Sequence, residues 1–475
     1  MNPELNKTKI ICTIGPASNS VELIEQLLKA GMNVARLNFS HGDYNSHAQV
    51  IKNIREASRN TGIRAAIMAD LPGPKIRIGL LKEEPIELHE DNKFILTTDD
   101  IMGDEHCVSV SLMELPQVVK PGDKLFINDG LIHLEVTEIS DQNITCRVLV
   151  GGELRSRKGL NLPGIELGIS AFTDHDRDCM RFALEHGVDS ISQSFVATAD
   201  DIKSVKKFAD ELGHQPFIVA KIERSQALQN IDEILEATDV IMVARGDLGI
   251  EIPIEEIAVV QKQLMQKANQ HGKPVITATQ MLESMIEQRL PTRAETTDVA
   301  NAILDGTDCV MLSGESAMGK YPVEATQMLA KIACATEPSR PHFPARHELR
   351  KDGRESKHGN VVDMIALSVQ YTFDRAKPVA ILVPTRSGDT ARNIARFRLP
   401  VWIPAFSPND STCQSLQFSY GVYPELVSKD LADWDKFSRD WLQSHGINSG
   451  LVLLTQGPSE LNPGSNNRME ILELD

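Results

Sequence analysis

The sequence predicts an α/β fold made of a (β/α)8 TIM barrel, a small all-β lid domain inserted into it, and a C-terminal α/β domain. Three observations carry this prediction. The chain has 475 residues, which is too long for one hydrophobic core. Short apolar runs alternate with amphipathic helical patterns over most of residues 1–340, and this alternation is interrupted once.

The barrel is predicted from eight apolar runs of strand length. Helical patterns such as 21–31 separate them, with apolar residues three and four apart and a glycine at the end. Continuous apolar strands joined by helices indicate a parallel sheet, and eight such units indicate a closed barrel. The predicted strands are Lys9–Ile14, Asn33–Phe39, Ala65–Leu71, Asp189–Phe195, Phe217–Ile222, Asp239–Ala244, Val275–Gln280 and Cys309–Ser313.

The interruption predicts the lid domain, because short strands and turns replace the βα units between Leu71 and about Lys158. An insertion after the third strand lies over the mouth of the barrel, where a lid is useful. A polar linker is predicted at 339–360, after which strand and helix patterns resume. The predicted domains are 1–71 and 159–340 for the barrel, 72–158 for the lid, and 341–475 for the C-terminal domain.

Composition excludes several classes of protein. Lys+Arg 49 against Asp+Glu 66 gives a net charge of −17, which argues against nucleic acid or anionic membrane as the main partner. The seven cysteines are scattered without a CxxC motif, so no disulfide framework or thiolate metal site is predicted. The first residues lack an apolar signal core, and no apolar run reaches about 18 residues. We expect a cytoplasmic protein.

Polar and charged side chains follow the predicted strands where they end. In a (β/α)8 barrel these ends form the active-site mouth. Charge at the ends of strands that are buried on both faces is costly, which favours a functional role for these residues. For any one pair, a purely structural ion pair is an equally good explanation. The strand ends carry Arg36, Asn38, Ser40 and His41; Asp70; Gln193 and Ser194; Lys221 and Glu223; Arg245 and Asp247; Thr279 and Gln280; and Ser313 and Glu315.

These side chains predict a divalent metal and bound anions. Glu223 and Asp247 are hard oxygen ligands from adjacent strands, which suits Mg²⁺ or Mn²⁺ with substrate oxygens completing the shell. Arg36, Lys221 and Arg245 are expected to converge on a phosphate and a carboxylate. A divalent metal, convergent cations and a lid together indicate phosphoryl transfer.

The segment DLPGPKIRIG (70–79) leaves the third strand through a rigid gate. We define this gate as residues 72–74, and it places Lys75 and Arg77 just beyond it. Lys158, where the lid returns, adds a cation opposite them, so a polyphosphate is expected between lid and barrel. Gly246 is expected to leave room for an anion to approach backbone N–H groups. The absence of GxxxxGK[ST], and of GxGxxG after a strand, excludes those nucleotide-binding folds.

At this point the chain resembles the pyruvate kinase family across nearly its whole length. The resemblance implies phosphoryl transfer from phosphoenolpyruvate to ADP, giving pyruvate and ATP in the last step of glycolysis, by a homotetramer. The matching stretches are TKIICTIGPAS (8–18), NVARLNFSHG (33–42), KGLNLPG (158–164), VAKIE (219–223), DVIMVARGDLGIEIP (239–253), ITATQMLESM (276–285), PTRAETTDVANAILDGTDCVMLSGESA (291–317) and YPVEA (321–325).

The resemblance implies roles for the residues at the strand ends. Glu223 and Asp247 would bind the divalent metal. Arg36 would clamp the phosphate, and Lys221 would stabilise the phosphoryl group in transfer. Thr279 would bind the substrate carboxylate and, with Ser313, help to deliver the proton to enolpyruvate. The substrate-binding set implied is Arg36, Lys221, Ala244, Arg245, Gly246, Asp247 and Thr279.

The resemblance also implies ion and nucleotide positions. The nucleotide phosphates would meet His41, Arg77 and Lys158. A monovalent cation would normally lie at Asn38, Ser40, Asp70 and Leu71. The commonest family sequence at the gate is Asp-Thr-Lys-Gly-Pro-Glu, whereas Lys75 stands here at the glutamate position. We expect its ammonium group to take the place of K⁺, so K⁺ is predicted not to be required. The alternative is that Lys75 pairs with Asp70 or contacts ADP.

The loop TRSGDTAR (385–392) resembles the family's effector-phosphate loop. Its hydroxyl side chains suit a phosphorylated metabolite at a helix N-terminus, which would make the C-terminal domain regulatory. The family more often has Glu at Arg386 and Arg at Asp389, and a plain turn with hydroxyl caps is the alternative. The predicted effector residues are Thr385, Ser387 and Thr390.

Two other functions stay open from the sequence. One is a metal-dependent barrel lyase or aldolase acting on a 2-oxo acid, which would not need the lid, Lys158 or the C-terminal domain. The other is a catalytically inactive sensor, which the complete set of metal and cation side chains disfavours.

Overall fold

The barrel forms as the sequence predicts. A computed structural model describes residues 6–165, 168–340, 361–428, 434–457 and 467–474, and within them all eight predicted strands pair in parallel into a closed barrel. The first part of the barrel consists of β1 Lys9–Thr13, α1 Val21–Ala30, β2 Met32–Asn38, α2 Tyr44–Thr61 and β3 Ala66–Asp70.

Local signals set the helix ends. The Ser20 side chain accepts a hydrogen bond from the Leu23 backbone N–H at the start of α1. The same helix ends at Gly31, whose φ of 119° is in the left-handed region that favours glycine. The glycine-terminated helical pattern at 21–31 is therefore confirmed.

After β3 the chain leaves the barrel and forms a separate small β structure with its own apolar core. One sheet has the order β11-β7-β8-β9-β5-β6, and β10 pairs with β4. Because β11 pairs with β7, this sheet extends just past residue 158, the predicted end of the lid domain. The domain boundaries stay predictions. The elements are β4 Ile86–Leu88, β5 Lys93–Thr97, β6 Cys107–Ser109, α3 Leu115–Val118, β7 Lys124–Ile127, β8 Ile132–Ser140, β9 Asn143–Val150, β10 Gly152–Leu154 and β11 Leu160–Asn161.

The chain then completes the barrel, whose strands neighbour one another in the order β1-β16-β15-β14-β13-β12-β3-β2. Short 3₁₀ helices lie at Ile254–Glu256, Glu283–Ile286 and Glu337–Ser339. The remaining elements are α4 Asp174–Glu185, β12 Ser190–Gln193, α5 Ala199–Glu211, β13 Phe217–Ile222, α6 Ser225–Gln229, α7 Ile231–Ala237, β14 Val240–Ala244, α8 Arg245–Glu251, α9 Ile257–Gln270, β15 Val275–Ala278, α10 Arg293–Asp305, β16 Cys309–Leu312, α11 Gly314–Ala317 and α12 Pro322–Thr336.

The C-terminal domain is a sheet in the order β19-β18-β17-β20-β21, parallel except for β21, with helices around it. Residues 341–360 of the predicted polar linker lie outside the described residues. None of the described helices is long and apolar enough to cross a membrane. The elements are α13 Val361–Ala376, β17 Ala380–Pro384, α14 Asp389–Ala395, β18 Ile403–Ser407, α15 Asp410–Ser415, a 3₁₀ helix Leu416–Phe418, β19 Val422–Leu426, α16 Trp434–Ser444, β20 Gly450–Gln456 and β21 Arg468–Leu474.

The two ends of the barrel face different surroundings. We call the end formed by the strand C-termini the mouth and the opposite end the floor. The C-terminal domain contacts the floor: Arg398 forms a buried ion pair with Asp308, next to β16, and the Lys9 ammonium of β1 donates to the Val422 carbonyl. The mouth is the end at which the polar strand exits collect.

Candidate active site

Asp70, at the end of β3, joins two cations at the mouth. Arg36 of β2 donates to Oδ2 through Nε at 3.1 Å and Nη2 at 2.5 Å, and Nη1 donates to the Thr13 hydroxyl. Lys221 Nζ, from β13, lies 3.4 Å from Oδ1. Burial alone would raise the pKa of Asp70, but Lys221 and Arg36 outweigh it and lower that pKa below its usual value. Asp70 is therefore a carboxylate that holds two cations side by side.

Lys221 is held from three directions. Its Nζ lies 2.7 Å from Glu223 Oε1 and donates to the Ser194 hydroxyl at 2.7 Å, in addition to the contact with Asp70. Burial alone would lower the pKa of the ammonium group, but the three acids Asp70, Glu223 and Asp247 raise it above its ordinary value. Lys221 therefore stays protonated and acts as a positive charge.

Glu223 and Asp247 form the candidate metal site. Glu223 is only 2% exposed; burial raises its pKa, Lys221 counteracts this, and the charge of Asp247 raises it further. A divalent cation would relieve the repulsion between the two carboxylates, so the donor set fits Mg²⁺ or Mn²⁺. The described residues contain no group of three or more acidic, histidine or cysteine side chains able to hold a metal. Substrate oxygens would thus have to complete the shell.

The exit of β12 connects this cluster to the gate. The Ser194 hydroxyl, which accepts from Lys221, donates to the Leu71 carbonyl at 2.7 Å. The Phe195 backbone N–H donates to Glu223 Oε2, and a Cβ added to Gly73 would lie 2.7 Å from the Phe195 ring. Gly73, with φ of 67°, is thus required where the gate crosses this exit. Sequence reasoning placed Ser194 at a strand end but assigned it no role.

Thr279 has a strained backbone. Its φ is 67°, in the left-handed region that β-branched residues rarely adopt, and such strain costs about 1–3 kcal/mol. Its hydroxyl accepts the Gly246 N–H at 2.9 Å and donates to the Ala278 carbonyl. The atoms nearest to a Cβ added on Gly246 would be those of Thr279, at 3.5 Å and beyond, which is ordinary van der Waals contact.

Ser313, the other predicted proton donor, follows the neighbouring strand β16. Its backbone N–H donates to Glu315 Oε2, and the other oxygen of this fully buried carboxylate accepts the Leu282 N–H. Glu315 therefore ties the exit of β16 to the loop after β15, where Thr279 lies.

The Arg245 side chain has partners that sequence reasoning did not expect. Sequence reasoning had it converge with Arg36 and Lys221 on an anion. Its guanidinium instead pairs with Asp298 of α10, at 2.7 Å, and donates to the carbonyls of Ala278 and Thr279. No sequence pattern indicates this ion pair, because Asp298 lies more than 50 residues further along the chain, inside an ordinary helical pattern.

The predicted ion and nucleotide residues collect on the β2 and β3 side of the mouth. Asn38 pairs with Asp70 in the β2–β3 ladder, and its side-chain oxygen accepts the Ser40 N–H. Burial lowers the pKa of His41, and the charges of Lys75, Arg77 and Arg36 lower it further. Lys158 is brought next to this group, because its carbonyl accepts the N–H of Ile78, beside Arg77. Lys75 itself is exposed.

The predicted effector loop contains its own acid. The Thr385 hydroxyl accepts the Gly388 N–H, and the Ser387 hydroxyl donates to Asp389 Oδ2. Arg392 donates to the other oxygen of Asp389 at 2.9 Å. The Asp389 carboxylate thus occupies two donors that could bind a phosphate, the Ser387 hydroxyl and the Arg392 guanidinium.

Comparison with known proteins decides the family. A family model described as "Pyruvate kinase, barrel domain" matches residues 5–326, and one described as "Pyruvate kinase, alpha/beta domain" matches residues 363–472. The chain belongs to the pyruvate kinase family. It is therefore a phosphotransferase with the function of a pyruvate kinase, and the lyase or aldolase alternative is not favoured.

Individual pyruvate kinases resemble the chain over nearly its full length. The enzyme of Thermococcus litoralis is 45% identical over 471 residues, which cover 99% of both chains. That of Geobacillus stearothermophilus is 44% identical over 98% of this chain and 80% of its own length. A crystal structure of a pyruvate kinase from Cryptosporidium parvum superposes with a TM-score of 0.92 at 36% identity, covering 99% of this chain and 97% of that one.

Proposed function

We propose that the mouth transfers the phosphoryl group of phosphoenolpyruvate to ADP, giving pyruvate and ATP in the last step of glycolysis. The observation that carries this proposal is the cluster in which Asp70 and Glu223 hold two cations, the buried Arg36 and the partly buried Lys221. Phosphoryl transfer is catalysed mainly by positioning and by positive charge at the developing negative charge. Preassembled cations supply both.

Each part of the cluster has a proposed role. Arg36 binds the phosphoryl oxygens, and Lys221, kept protonated by the surrounding acids, stabilises the charge that develops on the group in transfer. Glu223 and Asp247 hold a divalent cation, which supplies further positive charge to the substrate oxygens when bound. Thr279 binds the carboxylate next to the Ala244–Asp247 turn and, with Ser313, delivers the proton that yields pyruvate.

The nucleotide is proposed to enter between the barrel and the lid domain, residues 72–158. His41, Arg77 and Lys158 bind its phosphates. The support is that, after burial, the charges of Lys75, Arg77 and Arg36 contribute to the lowered pKa of His41. The lid closes over the mouth and excludes water from the transfer.

We propose that Lys75 replaces K⁺ near Asn38, Ser40, Asp70 and Leu71. The support is its exposed position beyond the gate and its electrostatic effect on His41, which also feels Arg36. A monovalent cation added beside a lysine ammonium would meet like charge, at roughly 4 kcal/mol for 4 Å and an effective dielectric constant of 20.

The C-terminal domain is proposed to be regulatory, in a cytoplasmic homotetramer. A phosphorylated metabolite would bind at Thr385, Ser387 and Thr390 after displacing the Asp389 carboxylate from Ser387 and Arg392. Coupling to phosphoenolpyruvate is expected at about 1–3 kcal/mol. Asp389→Ala should strengthen the effect of sugar phosphates or nucleoside monophosphates on the KM for phosphoenolpyruvate, and a screen without any shift in either protein would contradict the proposal.

The metal requirement tests the proposed chemistry. Excess EDTA should abolish the formation of pyruvate and ATP, and Mg²⁺ or Mn²⁺ should restore it. Asp247→Asn should raise the Mg²⁺ concentration needed for half-maximal rate, whereas Asp232→Asn, at an exposed ion pair with Lys267, is the matched control. Full activity in metal-free buffer would overturn the assignment.

A further inference from the structure

All three guanidinium nitrogens of Arg245 donate hydrogen bonds to other residues of the chain. It is about one-tenth exposed and begins α8 directly after β14. Its Nη1 donates to Asp298 at 2.8 Å, its Nη2 donates to the Thr279 carbonyl at 2.7 Å, and its Nε donates to the Ala278 carbonyl at 3.3 Å. Nη2 also lies 3.0 Å from the Met281 sulfur. A planar guanidinium can satisfy these partners together, and a lysine cannot.

The backbone that receives these hydrogen bonds is strained. Thr279 and Gln280 follow β15 with φ values of 67° and 53°, both in the left-handed region. Such a conformation persists in a β-branched residue only where its surroundings impose it. The two carbonyls that Arg245 binds lie at the start of this segment, so the guanidinium fixes its course from the neighbouring strand.

The strained conformation has a consequence for the site. It brings the Thr279 hydroxyl to the Gly246 N–H, at 2.9 Å, across the exits of β14 and β15. Gly246 directly follows Arg245 in the chain, and Arg245 also binds the Thr279 carbonyl. Arg245 is therefore linked to both partners of this hydrogen bond.

We infer that Arg245 is a positioning residue: its guanidinium, anchored by Asp298, holds Thr279 in its left-handed conformation and does not bind substrate. This inference rests on the role proposed above for Thr279. Asp298, on α10, then acts indirectly, by holding the Arg245 guanidinium. The acid matters because it fixes the orientation of the guanidinium relative to the two carbonyls.

A double-mutant cycle with Thr279 tests the inference. Arg245→Met should lower kcat at least about tenfold, and the same change in a Thr279→Ala background should lower it by less than about threefold, because the group being positioned is gone. Equal losses in both backgrounds would show that Arg245 acts independently of Thr279 and would overturn the inference. A Thr279→Ala enzyme with wild-type kcat would instead remove the proposed role of Thr279, and the positioning role with it.

Asp298→Asn gives an independent test, because the two roles of Arg245 predict opposite signs. If Arg245 positions Thr279, loosening its anchor should lower kcat/KM for phosphoenolpyruvate several-fold. If Arg245 is an anion ligand restrained by Asp298, the same change should free the guanidinium and lower the KM, which would contradict the inference. Asp305→Asn is the matched control, because Asp305 is at the end of the same helix and pairs with Lys262 instead. Its kcat/KM should stay within about twofold of wild type.

Loss of folding is separated from loss of positioning by structure and by rescue. Rates are measured per folded molecule, after circular dichroism at a temperature well below unfolding. Arg245→Lys should not restore kcat, since one ammonium group cannot reach both carbonyls and Asp298. A crystal structure of Arg245→Met should show Thr279 with negative φ or its hydroxyl away from Gly246. An unchanged Thr279 in that variant would overturn the inference.

Discussion

The two ends of the barrel both bury ion pairs, but the acids at the two ends have different partners. At the floor, the Asp308 carboxylate accepts hydrogen bonds from both terminal guanidinium nitrogens of Arg398 and from the backbone N–H groups of Val275 and Tyr420. At the mouth, the partners of the Asp70 carboxylate are side chains: the cations Arg36 and Lys221, and the Ser192 hydroxyl. A carboxylate held by backbone donors is fixed with the fold, whereas one held by cations can share them with an arriving anion.

Two lysines, the buried Lys9 and the largely buried Lys221, show the same difference. Burial lowers the pKa of Lys9 at the floor to about 8, against smaller opposing effects of Cys309, Glu337 and Asp308. The pKa of Lys221 at the mouth is raised instead, because three carboxylates outweigh its burial. The floor thus weakens the hold of its lysine on the proton, and the mouth strengthens it. Burial of charge alone therefore does not identify an active site.

The largest expected effect comes from removing the mouth cation. Lys221→Met should lower kcat by roughly 10³–10⁵, because the charge aimed at the phosphoryl group is lost. Steady-state kinetics on folded protein measure this. Lys206→Met is the matched control, since Lys206 pairs with Asp239 near the floor end of β14. A Lys221→Met enzyme that retains more than about a tenth of wild-type kcat would contradict the assigned role.

The converse change at the floor should affect stability and spare the chemistry. Arg398→Met leaves Asp308 buried without its cation and should lower the free energy of unfolding by about 3–5 kcal/mol. The kcat per folded molecule should stay within about twofold. Arg439→Met, which removes an exposed ion pair with Asp435, should cost less than about 1 kcal/mol. A tenfold loss of kcat in Arg398→Met without destabilisation would break the comparison.

The lowered pKa of Lys9 predicts a pH dependence of stability. Between its folded pKa of about 8 and its ordinary 10.5, the unfolded chain binds this proton and the folded chain releases it, so stability rises with pH. Relative to Lys9→Met, the wild type should gain up to about 3 kcal/mol across this window, at about 1.36 kcal/mol per pKa unit. Urea unfolding at pH 7 and pH 10 measures the gain.

The control for loss of side-chain bulk is Lys7→Met, because Lys7 lies over the same Trp402 ring as Lys9. A difference between wild type and Lys9→Met that is flat from pH 7 to pH 10 would show that the floor keeps its lysine charged, as the mouth does.

The smallest expected effect concerns K⁺. In tetramethylammonium buffer the wild type should be activated less than about twofold by added K⁺, because the Lys75 ammonium supplies the charge. Lys75→Glu should have low activity without K⁺ and be activated about tenfold or more by it. The same titration on Lys82→Glu, whose lysine pairs with Asp104 within the lid domain, is the control. Strong activation of the wild type would refute this role of Lys75.

The sequence predicted the barrel well because its strands are continuous apolar runs, and the end of each run showed which polar residues reach the mouth. It could also place Lys221 beside Glu223, since they lie two residues apart at the end of one strand, β13. It could not predict which of these residues bind one another across the mouth. Arg245 was assigned to an anion because a cation at a strand end has the same pattern whether it binds substrate or Asp298. Ser194 had no role for the same reason.

The most direct test of the central claim is a product assay on the purified chain. With phosphoenolpyruvate, ADP and Mg²⁺, pyruvate and ATP should form in equal amounts, and omission of ADP or of the metal should stop both. Lys221→Met should stop both products as well, while Arg398→Met should form them at the wild-type rate per folded molecule. Release of pyruvate without ADP, or cleavage of a larger 2-oxo acid at a comparable rate, would contradict the claim that the mouth is built for phosphoryl transfer.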